Sequence, residues 1–389
     1  MQKWCRPMKK VAVVTGTRAE YGIFQPVLRA IEKKQDLKLL LVVSGMHLSR
    51  EFGYTYKEIK KDGFRIDAKV PMLLSGDTLA AMAESVGRGV VGMSRAWKRL
   101  RPDIILVLGD RIEPLAAAIA GAYMNIPVAH IHGGDSSKGG LDESARHAIT
   151  KFAHIHFPAT RLSAERIIKL GEDQWRIHTV GSPALDTILN EPLLTGENLA
   201  GKFELDLSQP LVLLVQHPVT TQMPEAAAQM RETLSAISES GYRTVIIYPN
   251  SDAGGRRMIE VIKQYQGHPF IKTFKNLPHK EYLGLMKVAS VIVGNSSSGI
   301  IDAPALGLPA VNIGIRQEGR ERGKNVIDVK HDEQEIIEAI KQCLEDKSFL
   351  DEVKKCENPY GDGKAGERIA AILTELEITP QLLQKKITY

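Results

Sequence analysis

The sequence predicts an α/β protein with two Rossmann-like domains, because short apolar runs alternate with amphipathic segments in two successive series. Typical runs are KVAVVT (residues 10–15) and DIILVL (103–108) in the first series, and LVLLVQ (211–216) and VIV (291–293) in the second. Each run ends in a turn of glycine, serine or charged residues, as expected for parallel strands buried on both faces. The length of 389 residues also favours two domains.

The remaining elements of the first series follow in chain order. The apolar pattern predicts further strands at residues 37–44, 64–70, 126–131, 153–157 and 177–180, and helices at 23–34, 51–63, 78–100 and 161–170. In the second series it predicts further strands at residues 244–248, 270–274, 309–313 and 325–329, and helices at 223–240, 256–266, 279–289 and 332–344.

A polar segment at residues 191–210 divides the two series. We therefore predict an N-terminal domain over residues 1–190 and a C-terminal domain over 191–364. A last helix within 365–389 is expected to pack back on the N-terminal domain. Open α/β sheets bind ligands at the carboxyl ends of their strands. The polar turns of the two domains should therefore face each other across a central cleft, an arrangement of the GT-B type.

Composition and charge exclude several classes of protein. The net charge of +5 is too small to indicate a nucleic-acid partner, and no run approaches ~20 apolar residues, so we expect no membrane span. The N-terminus has no signal-peptide pattern. Cys5, Cys343 and Cys356 are too scattered for a zinc site or a disulfide framework. We expect a cytoplasmic protein that needs neither a metal nor a cofactor.

The turn after the run at 291–293 has the sequence GNSSSG and predicts a phosphate site. Backbone N–H groups, the hydroxyls of Ser296 and Ser297, and a helix N-terminus would converge there. Asp302, one turn later, is placed to accept two ribose hydroxyls, and Arg316 follows the next strand, where it would pair with a diphosphate. The alternative is an ordinary helix cap made by serine. Three serines between two glycines exceed that need, and the basic loop favours the phosphate site.

The turns of the N-terminal half carry candidate catalytic groups. Asp110 and Arg111 follow one predicted strand, His132 and Asp135 follow the next, and Asp142 opens a helix shortly afterwards. Each alone fits a structural role, such as a helix cap. Their convergence at one sheet edge predicts acid–base chemistry.

Three further polar residues follow strands and should face the same cleft. Arg18 lies in the first turn, which is not a GxGxxG motif and so does not indicate a dinucleotide. It is either a solvated loop charge or a ligand contact, and its position favours the contact. His217 and Asn250 follow strands of the C-terminal half. We predict that Asn250 contacts the substrate.

Motifs along nearly the whole chain resemble those of the hydrolysing UDP-N-acetylglucosamine 2-epimerases, which make N-acetylmannosamine for sialic acid synthesis. Several are similar to the epimerase half of the animal bifunctional epimerase/kinase. The matching motifs are TGTRAEYG (15–22), LGDRIEPLA (108–116), HIHGGD (130–135), LDESARHAITKFAHIHF (141–157), QHPVTT (216–221), YPNSDAG (248–254), GNSSSG (294–299), GIRQEGR (314–320) and YGDG (360–363).

The resemblance implies a reaction and a set of roles. UDP is eliminated across C1–C2 of the UDP-sugar to give 2-acetamidoglucal, and water then adds to release N-acetylmannosamine. Asp110 and Asp142 would be catalytic carboxylates, and His217 would contact the diphosphate or assist proton transfer. UDP would be bound by Arg18, Ser296, Ser297, Asp302 and Arg316, with help from Arg111. The resemblance also implies a homodimer or homotetramer.

The chain departs from some family members at two positions. Where they have HIEGGE, this chain has His132 and Asp135, so either residue could replace the missing glutamate, and Asp302 stands where some have glutamate. Other functions also stay open: the same chemistry on UDP-N,N′-diacetylbacillosamine, a non-hydrolysing epimerase, a GT-B glycosyltransferase, and a UDP-sugar-binding protein.

Overall fold

Two six-stranded parallel sheets organise the chain. The computed structural model describes residues 8–76, 78–137, 141–250 and 252–389. The first sheet contains β1 (Lys9–Thr15), β2 (Leu37–Ser44), β3 (Ile66–Val70), β4 (Ile104–Leu108), β5 (Val128–Ile131) and β6 (Ile155–Phe157). The second contains β7 (Leu211–Val215), β8 (Arg243–Ile247), β9 (Ile271–Phe274), β10 (Val291–Gly294), β11 (Ala310–Ile313) and β12 (Val326–Val329).

The two sheets have the same strand order, β3-β2-β1-β4-β5-β6 and β9-β8-β7-β10-β11-β12. Both are therefore doubly wound, with the switch point beside the first strand of each half. The predicted fold class, two Rossmann-like domains of the GT-B type, is confirmed. The strand predicted at residues 177–180 is wrong, since that segment forms only an isolated bridge between His156 and Ile177.

Helices cover both faces of each sheet. In the first half they are α1 (Arg18–Glu32), α2 (Tyr56–Lys61), α3 (Leu79–Leu100), α4 (Ile112–Tyr123), α5 (Leu141–Phe152), α6 (Arg161–Lys169) and α7 (Pro183–Asn190). The later ones are α8 (Gly196–Phe203), α9 (Ala226–Ser240), α10 (Gly255–Lys263), α11 (His279–Val288), α12 (Ser298–Ile301), α13 (Glu333–Glu345), α14 (Lys347–Lys354), α15 (Ala365–Glu375) and α16 (Pro380–Leu383). Short 3₁₀ segments lie at Gly45–Leu48, Gln174–Arg176, Thr220–Glu225 and Ala303–Leu306. None of the described helices is both long and apolar enough to cross a membrane.

The strand sequences are apolar at successive positions because each strand is buried on both faces. In β1, Val11 and Val13 join one core, while Ala12 and Val14 join the core on the opposite face. Strand β7 divides its side chains between two cores in the same way. Alternating side chains therefore fill two layers from one strand, as the period of two requires. Polar residues are left to the turns at the strand ends.

Helix α15 packs against α1 of the first half. Asp186, in α7, accepts the first two N–H groups of α15, those of Ala365 at 2.9 Å and Gly366 at 2.7 Å. Glycine at 366 allows this close approach, since an added Cβ would lie 3.0 Å from the backbone of Pro26 in α1. At the other end, Lys9 Nζ donates to the carbonyl of Leu373 at 2.7 Å. The residue limits given above for the domains stay predictions.

Candidate active site

The polar turns of the two halves meet in one cleft and are joined there by ion pairs. Ion pairs that cross between the halves here include Arg316 with Asp142 at 3.3 Å, Arg320 with Asp135 at 3.0 Å, and Arg111 with Asp252 at 3.1 Å. Each links a turn of the first sheet to a turn of the second. Most of the site residues expected from the sequence therefore lie together. Within the described residues, no group of His, Cys, Asp and Glu side chains is arranged to hold a metal ion.

Asp110 and Asp142 lie close enough to interact electrostatically, and their pKa values are shifted in opposite directions. Burial alone would raise the pKa of Asp110, but the guanidinium of Arg146, which donates to its Oδ2, holds that pKa below its usual range. Burial, together with the charge of Asp110, raises the pKa of Asp142 to about 6, against the opposing effect of Arg316. One carboxyl group therefore stays ionised, while the other can exchange a proton near neutral pH.

Arg146 connects the elements that carry these acids, and sequence reasoning assigned it no role. It lies in α5 and is only 1% exposed. Its guanidinium donates to Asp110, to the carbonyl of Asp135 at 2.9 Å, to Glu143 at 2.8 Å and to the hydroxyl of Ser137 at 2.8 Å. The sequence contains one indication of a role for Arg146: it follows Asp142 by four residues, a spacing that places both side chains on one face of a helix.

His132 and Asp135 form a fixed pair rather than two interchangeable acids. His132 has left-handed backbone geometry, with φ of +61°. Its Nδ1 lies 3.1 Å from Asp135 Oδ2, and its Nε2 lies 3.0 Å from the hydroxyl oxygen of Ser182. Asp135 also accepts from Ser163 at 2.9 Å and from Arg320. Burial would raise the pKa of Asp135, but the bond to His132 and the charge of Arg320 keep it far below its usual range.

His217 is held in one tautomer by the turn after β8. Its Nδ1 accepts the backbone N–H of Asn250 at 3.1 Å, and its own backbone N–H and carbonyl bond to the side chain of Asn295. Burial, assisted by the charge of Arg316, lowers the pKa of His217 to about 3, so the ring is neutral. Since Nδ1 is the acceptor, the proton must be on Nε2. His217 is therefore a hydrogen-bond donor.

Asn250 and Arg111 are engaged with neighbouring protein groups. The Asn250 side chain donates to Asp252 at 2.6 Å, while its backbone supports His217. Arg111 pairs with Asp252 and lies 3.5 Å from Glu113. Burial would lower the pKa of Arg111, but these carboxylates raise it. In this structure both residues support the turn after β8.

The GNSSSG turn has the compact backbone that its glycines predict. Gly294 has φ of +120°, and an added Cβ would lie 2.3 Å from a carbonyl oxygen of β7. The hydroxyl of Ser296 accepts the N–H of Ser298 at 3.3 Å, and Ser297 immediately precedes α12. Arg316 donates to the carbonyl of Asn295 in the same turn, at 3.3 Å. The predicted phosphate-binding serines and the arginine are therefore adjacent.

Asp302 is a buried acid with unused hydrogen-bonding capacity. It is 8% exposed, and its Oδ1 has no partner among the described residues. Burial raises the pKa of Asp302 to about 6, while a hydrogen bond with Ser298 opposes that rise. Buried carboxyl oxygens in folded proteins nearly always have a hydrogen-bond partner. An acceptor of this kind beside the GNSSSG turn fits a ligand that supplies a hydroxyl group.

Arg18 lies at the edge of this group. It pairs with Glu58 and donates to Asn276 of the second half. Burial lowers the pKa of Arg18 to about 10. Its described hydrogen bonds and ion pairs do not include another of the predicted site residues. The structure therefore places Arg18 beside the cleft, where it joins the two halves.

Two doubly wound domains around a cleft with a phosphate-type turn and paired acids define an enzyme of the nucleotide-sugar type. The family model described as UDP-N-acetylglucosamine 2-epimerase matches residues 29–374. The chain is 38% identical over 382 residues to a UDP-N,N′-diacetylbacillosamine 2-epimerase (hydrolyzing) of Legionella pneumophila, covering 98% of this chain and 100% of that protein.

A second relative supports the family match, and a solved structure supports the fold. A UDP-N-acetylglucosamine 2-epimerase of Neisseria meningitidis is 36% identical, covering 86% of this chain and 88% of that protein. The crystal structure of a Neisseria meningitidis UDP-GlcNAc 2-epimerase bound to UDP-GlcNAc superposes with a TM-score of 0.79 at 19% identity, covering 94% of this chain and 100% of that one. The chain belongs to the UDP-N-acetylglucosamine 2-epimerase family. Its enzyme class is therefore that of a UDP-sugar 2-epimerase, and the resemblance read from its motifs is confirmed.

Proposed function

We propose that this protein is a hydrolysing 2-epimerase that converts UDP-N-acetylglucosamine to N-acetylmannosamine and UDP. The observation that carries the proposal is the pair of interacting acids, Asp110 and Asp142, which are ion-paired to Arg146 and Arg316 and have pKa values shifted in opposite directions. Elimination requires a base for one proton and cations for a departing diphosphate. The cleft contains both.

In the proposed first step, the C1–O bond breaks and its electron pair leaves with UDP. Asp142 takes the proton from C2, and the double bond of 2-acetamidoglucal forms between C1 and C2. Asp110, which stays ionised, stabilises the positive charge that develops at C1. Arg316 and the Nε2–H of His217 hold the leaving diphosphate. Asp142 suits this role because a base with a pKa near the working pH is the most effective.

In the second step, water adds its hydroxyl group to C1, the proton that the water loses passes to the imidazole that protonates the sugar, and a proton is delivered from that imidazole to C2. Asp142 returns the proton of the first step to solvent. Inversion at C2 requires that this proton arrive from the face opposite to the one that lost it. We assign the delivery to His132, and we assign to Asp135 the orientation of that imidazole. The hydrogen bonds of Asp135 and its low pKa support this division, because a locked carboxylate is a poor proton donor. Ser182, bonded to His132 Nε2, is placed to relay the proton.

We propose that UDP lies on the C-terminal half. Ser296 and Ser297 would bind phosphate oxygens, and Asp302 would accept the ribose hydroxyls through its unpaired Oδ1. On substrate binding, Arg316 would leave its ion pair with Asp142 and pair with the diphosphate instead. Arg18 and Arg111 would add positive charge at the cleft, and Asn250 would act through His217 and Asp252.

A second substrate has a specific observation in its favour. The Legionella pneumophila relative, which covers 98% of this chain, is named for UDP-N,N′-diacetylbacillosamine. The same elimination and hydration would apply to that sugar, because the two substrates share C1, C2 and the leaving UDP. The role in sialic acid synthesis, the homodimeric or homotetrameric state and the cytoplasmic location stay predictions.

The test is incubation of the purified protein with each UDP-sugar in deuterated water, followed by proton NMR. Release of UDP and a 2-epimerised free sugar with deuterium at C2 is expected. The Asp142→Asn variant should reduce both to a small residual rate, while Glu260→Gln, on the exposed face of α10, should behave as wild type. Intact UDP-sugar with both substrates would rule out the proposal. Exchange at C2 without release of UDP would indicate a non-hydrolysing epimerase.

A further inference from the structure

The last residues of the chain are fixed to the first half by hydrogen bonds and by burial. We call residues 379–389, which include α16, the C-terminal strap. Arg176, which is only 1% exposed, donates to the carbonyl oxygens of Gln381 at 2.7 Å and of Leu382 at 2.8 Å. The side chain of Leu382 is buried in the core of the first half. The C-terminal strap is therefore a built part of that half.

Lys385 of the C-terminal strap caps the C-terminal end of α5. Its Nζ donates to the carbonyl oxygens of Thr150 at 3.4 Å, Lys151 at 2.8 Å and Ala153 at 2.5 Å. The last carbonyl groups of a helix have no partner within it, and a cation beside them is favourable. Burial lowers the pKa of Lys385 to about 8, so the ammonium is charged at neutral pH, and it also pairs with Glu172 at 2.7 Å. One buried cation therefore satisfies the open end of α5.

The opposite end of the same helix carries groups of the proposed mechanism. Asp142 lies in the first turn of α5, and Arg146, one turn later, donates to Asp110. A helix of 12 residues is about 18 Å long, and its backbone hydrogen bonds make it move as one unit. A shift or tilt at the end that Lys385 holds would therefore change the position of Asp142 relative to Asp110.

A buried histidine connects the capped end of α5 to the turn that carries Asp110. His130, in β5, is fully buried, and burial lowers its pKa to about 3, so the ring is neutral. Its Nε2 donates to the carbonyl oxygen of Gly109 at 2.7 Å, and its Nδ1 lies 3.3 Å from the hydroxyl oxygen of Thr150. Gly109 immediately precedes Asp110 in the chain. Thr150 therefore joins α5 to the Asp110 turn, and its carbonyl group is one of those that Lys385 caps.

We propose, on the basis of the proposed function, that Lys385 is a positioning residue for the elimination step. By capping α5 it fixes Asp142 and Arg146 with respect to Asp110, so that the two acids keep the separation that the reaction needs. A displacement of about 1 Å at the reacting groups can lower the rate of an enzyme about 100-fold. The alternative is that Lys385 stabilises the folded helix and has no effect on the rate of a folded molecule.

The experiment compares Lys385→Met with Lys386→Met, which alters the exposed neighbouring residue and is the matched control. Release of UDP is measured with whichever of the two UDP-sugars the wild type converts, and calorimetric titration with UDP counts the folded sites. Because UDP is proposed to lie on the C-terminal half, Lys385→Met should bind UDP within about 3-fold of the wild-type affinity. Its kcat per UDP site should fall by about 10- to 100-fold. Lys386→Met should keep the wild-type kcat.

The pH profile separates positioning from a loss of folded protein. Burial and the charge of Asp110 raise the pKa of Asp142. A less firmly held α5 would admit water and let the two acids move apart, so the acidic limb of kcat/KM should move to lower pH in Lys385→Met. A smaller folded fraction would instead lower the rate equally at every pH. Lys385→Arg, which keeps the charge and the N–H donors, should restore most of the kcat and the wild-type limb.

Two results would overturn the inference and leave the proposed function intact. The first is an equal kcat per UDP site in Lys385→Met and in the wild type. The second is a lower kcat in Lys385→Met with an acidic limb at the wild-type pH, which would make Lys385 a structural cap only. Absence of UDP release by the wild type from either UDP-sugar would instead refute the proposed function. Lys385→Gln, which lacks the charge but keeps an N–H donor, provides the same test if Lys385→Met fails to fold.

Discussion

Replacement of Arg146 by methionine tests whether one buried guanidinium holds the proposed catalytic acids in place. Methionine keeps much of the length of the side chain but removes every donor. Asp110 would lose the cation that opposes its burial, and its pKa would rise above the usual value. Breaking a buried ion pair costs about 3–5 kcal/mol. Because the Asp110 side chain is 21% exposed, we expect the lower end, about 3 kcal/mol, in the free energy of unfolding at pH 7.

The sign of the pH dependence makes this prediction specific. In the wild type the pKa of Asp110 is depressed, so its contribution to stability is present at neutral pH and is lost only in strong acid. In Arg146→Met the folded-state pKa exceeds the unfolded one, so the variant gains stability as the pH falls and Asp110 becomes protonated. The difference between wild type and variant should therefore shrink from pH 7 to pH 5.

Urea unfolding at several pH values measures this difference, with Arg161→Met as the control, because Arg161 is highly exposed on α6. The control should lose less than about 0.5 kcal/mol at every pH. Arg146→Lys keeps the positive charge but lacks the planar guanidinium, so its loss of unfolding free energy should lie between those of Arg146→Met and Arg161→Met. A loss in Arg146→Met that is constant from pH 7 to pH 5 would refute the reasoning, because it would show that the guanidinium acts through packing alone.

Three further outcomes follow from the candidate site. The kcat/KM of the wild type should fall as the pH drops below about 6, because Asp142 becomes protonated there. The small residual kcat/KM of Asp142→Asn should not fall in this pH range. If it does fall, the group that titrates is not Asp142. His217→Ala should lower kcat by about 100-fold. His217→Gln should lower kcat less, because glutamine can present an N–H in place of Nε2–H. Equal losses of kcat in the two variants would indicate that His217 transfers a proton and does not only donate a hydrogen bond. Asp302→Asn should raise the KM about 10-fold at nearly constant kcat. Calorimetry should show that this variant binds UDP more weakly but binds 2′,3′-dideoxy-UDP as the wild type does. An equal loss of affinity for both ligands would contradict the proposal that Asp302 binds the ribose hydroxyls.

The fold was predictable from sequence because parallel strands buried on both faces are continuous apolar runs. The run at 211–216 became β7, and its position fixed His217 at the carboxyl edge of the sheet. The segment 177–180 shows the limit of this signal. It is short and its residues are only partly apolar, and it pairs with β6 at a single bridge instead of a ladder. A run of four residues does not carry enough pattern to separate a strand from an extended loop.

The sequence predicted which residues lie at the carboxyl ends of the strands, but it did not predict which of them contact each other. Asp135 and Arg320 are separated by 185 residues, and only the approach of the two domains brings them to 3.0 Å. His132 and Ser182 are 50 residues apart within the first half, and the fold of that half brings them together. Local spacing therefore left His132 and Asp135 as equal candidates for one role. Their contacts differ, since Asp135 accepts from His132, Ser163 and Arg320 whereas His132 is also bonded to Ser182, and this difference supports the separate roles proposed above.

In the proposed mechanism, substrate binding strengthens the base. Arg316 pairs with Asp142 and lowers its pKa, although burial raises that pKa to about 6. A diphosphate carries more negative charge than one carboxylate and offers Arg316 better acceptors. When Arg316 turns to the diphosphate, Asp142 loses an opposing cation while it stays buried beside Asp110. Its pKa must then rise toward neutral, which makes it a stronger base at the moment when the C2 proton is within reach. In that mechanism, the ion pair between Arg316 and Asp142 keeps the base weak until the substrate displaces it.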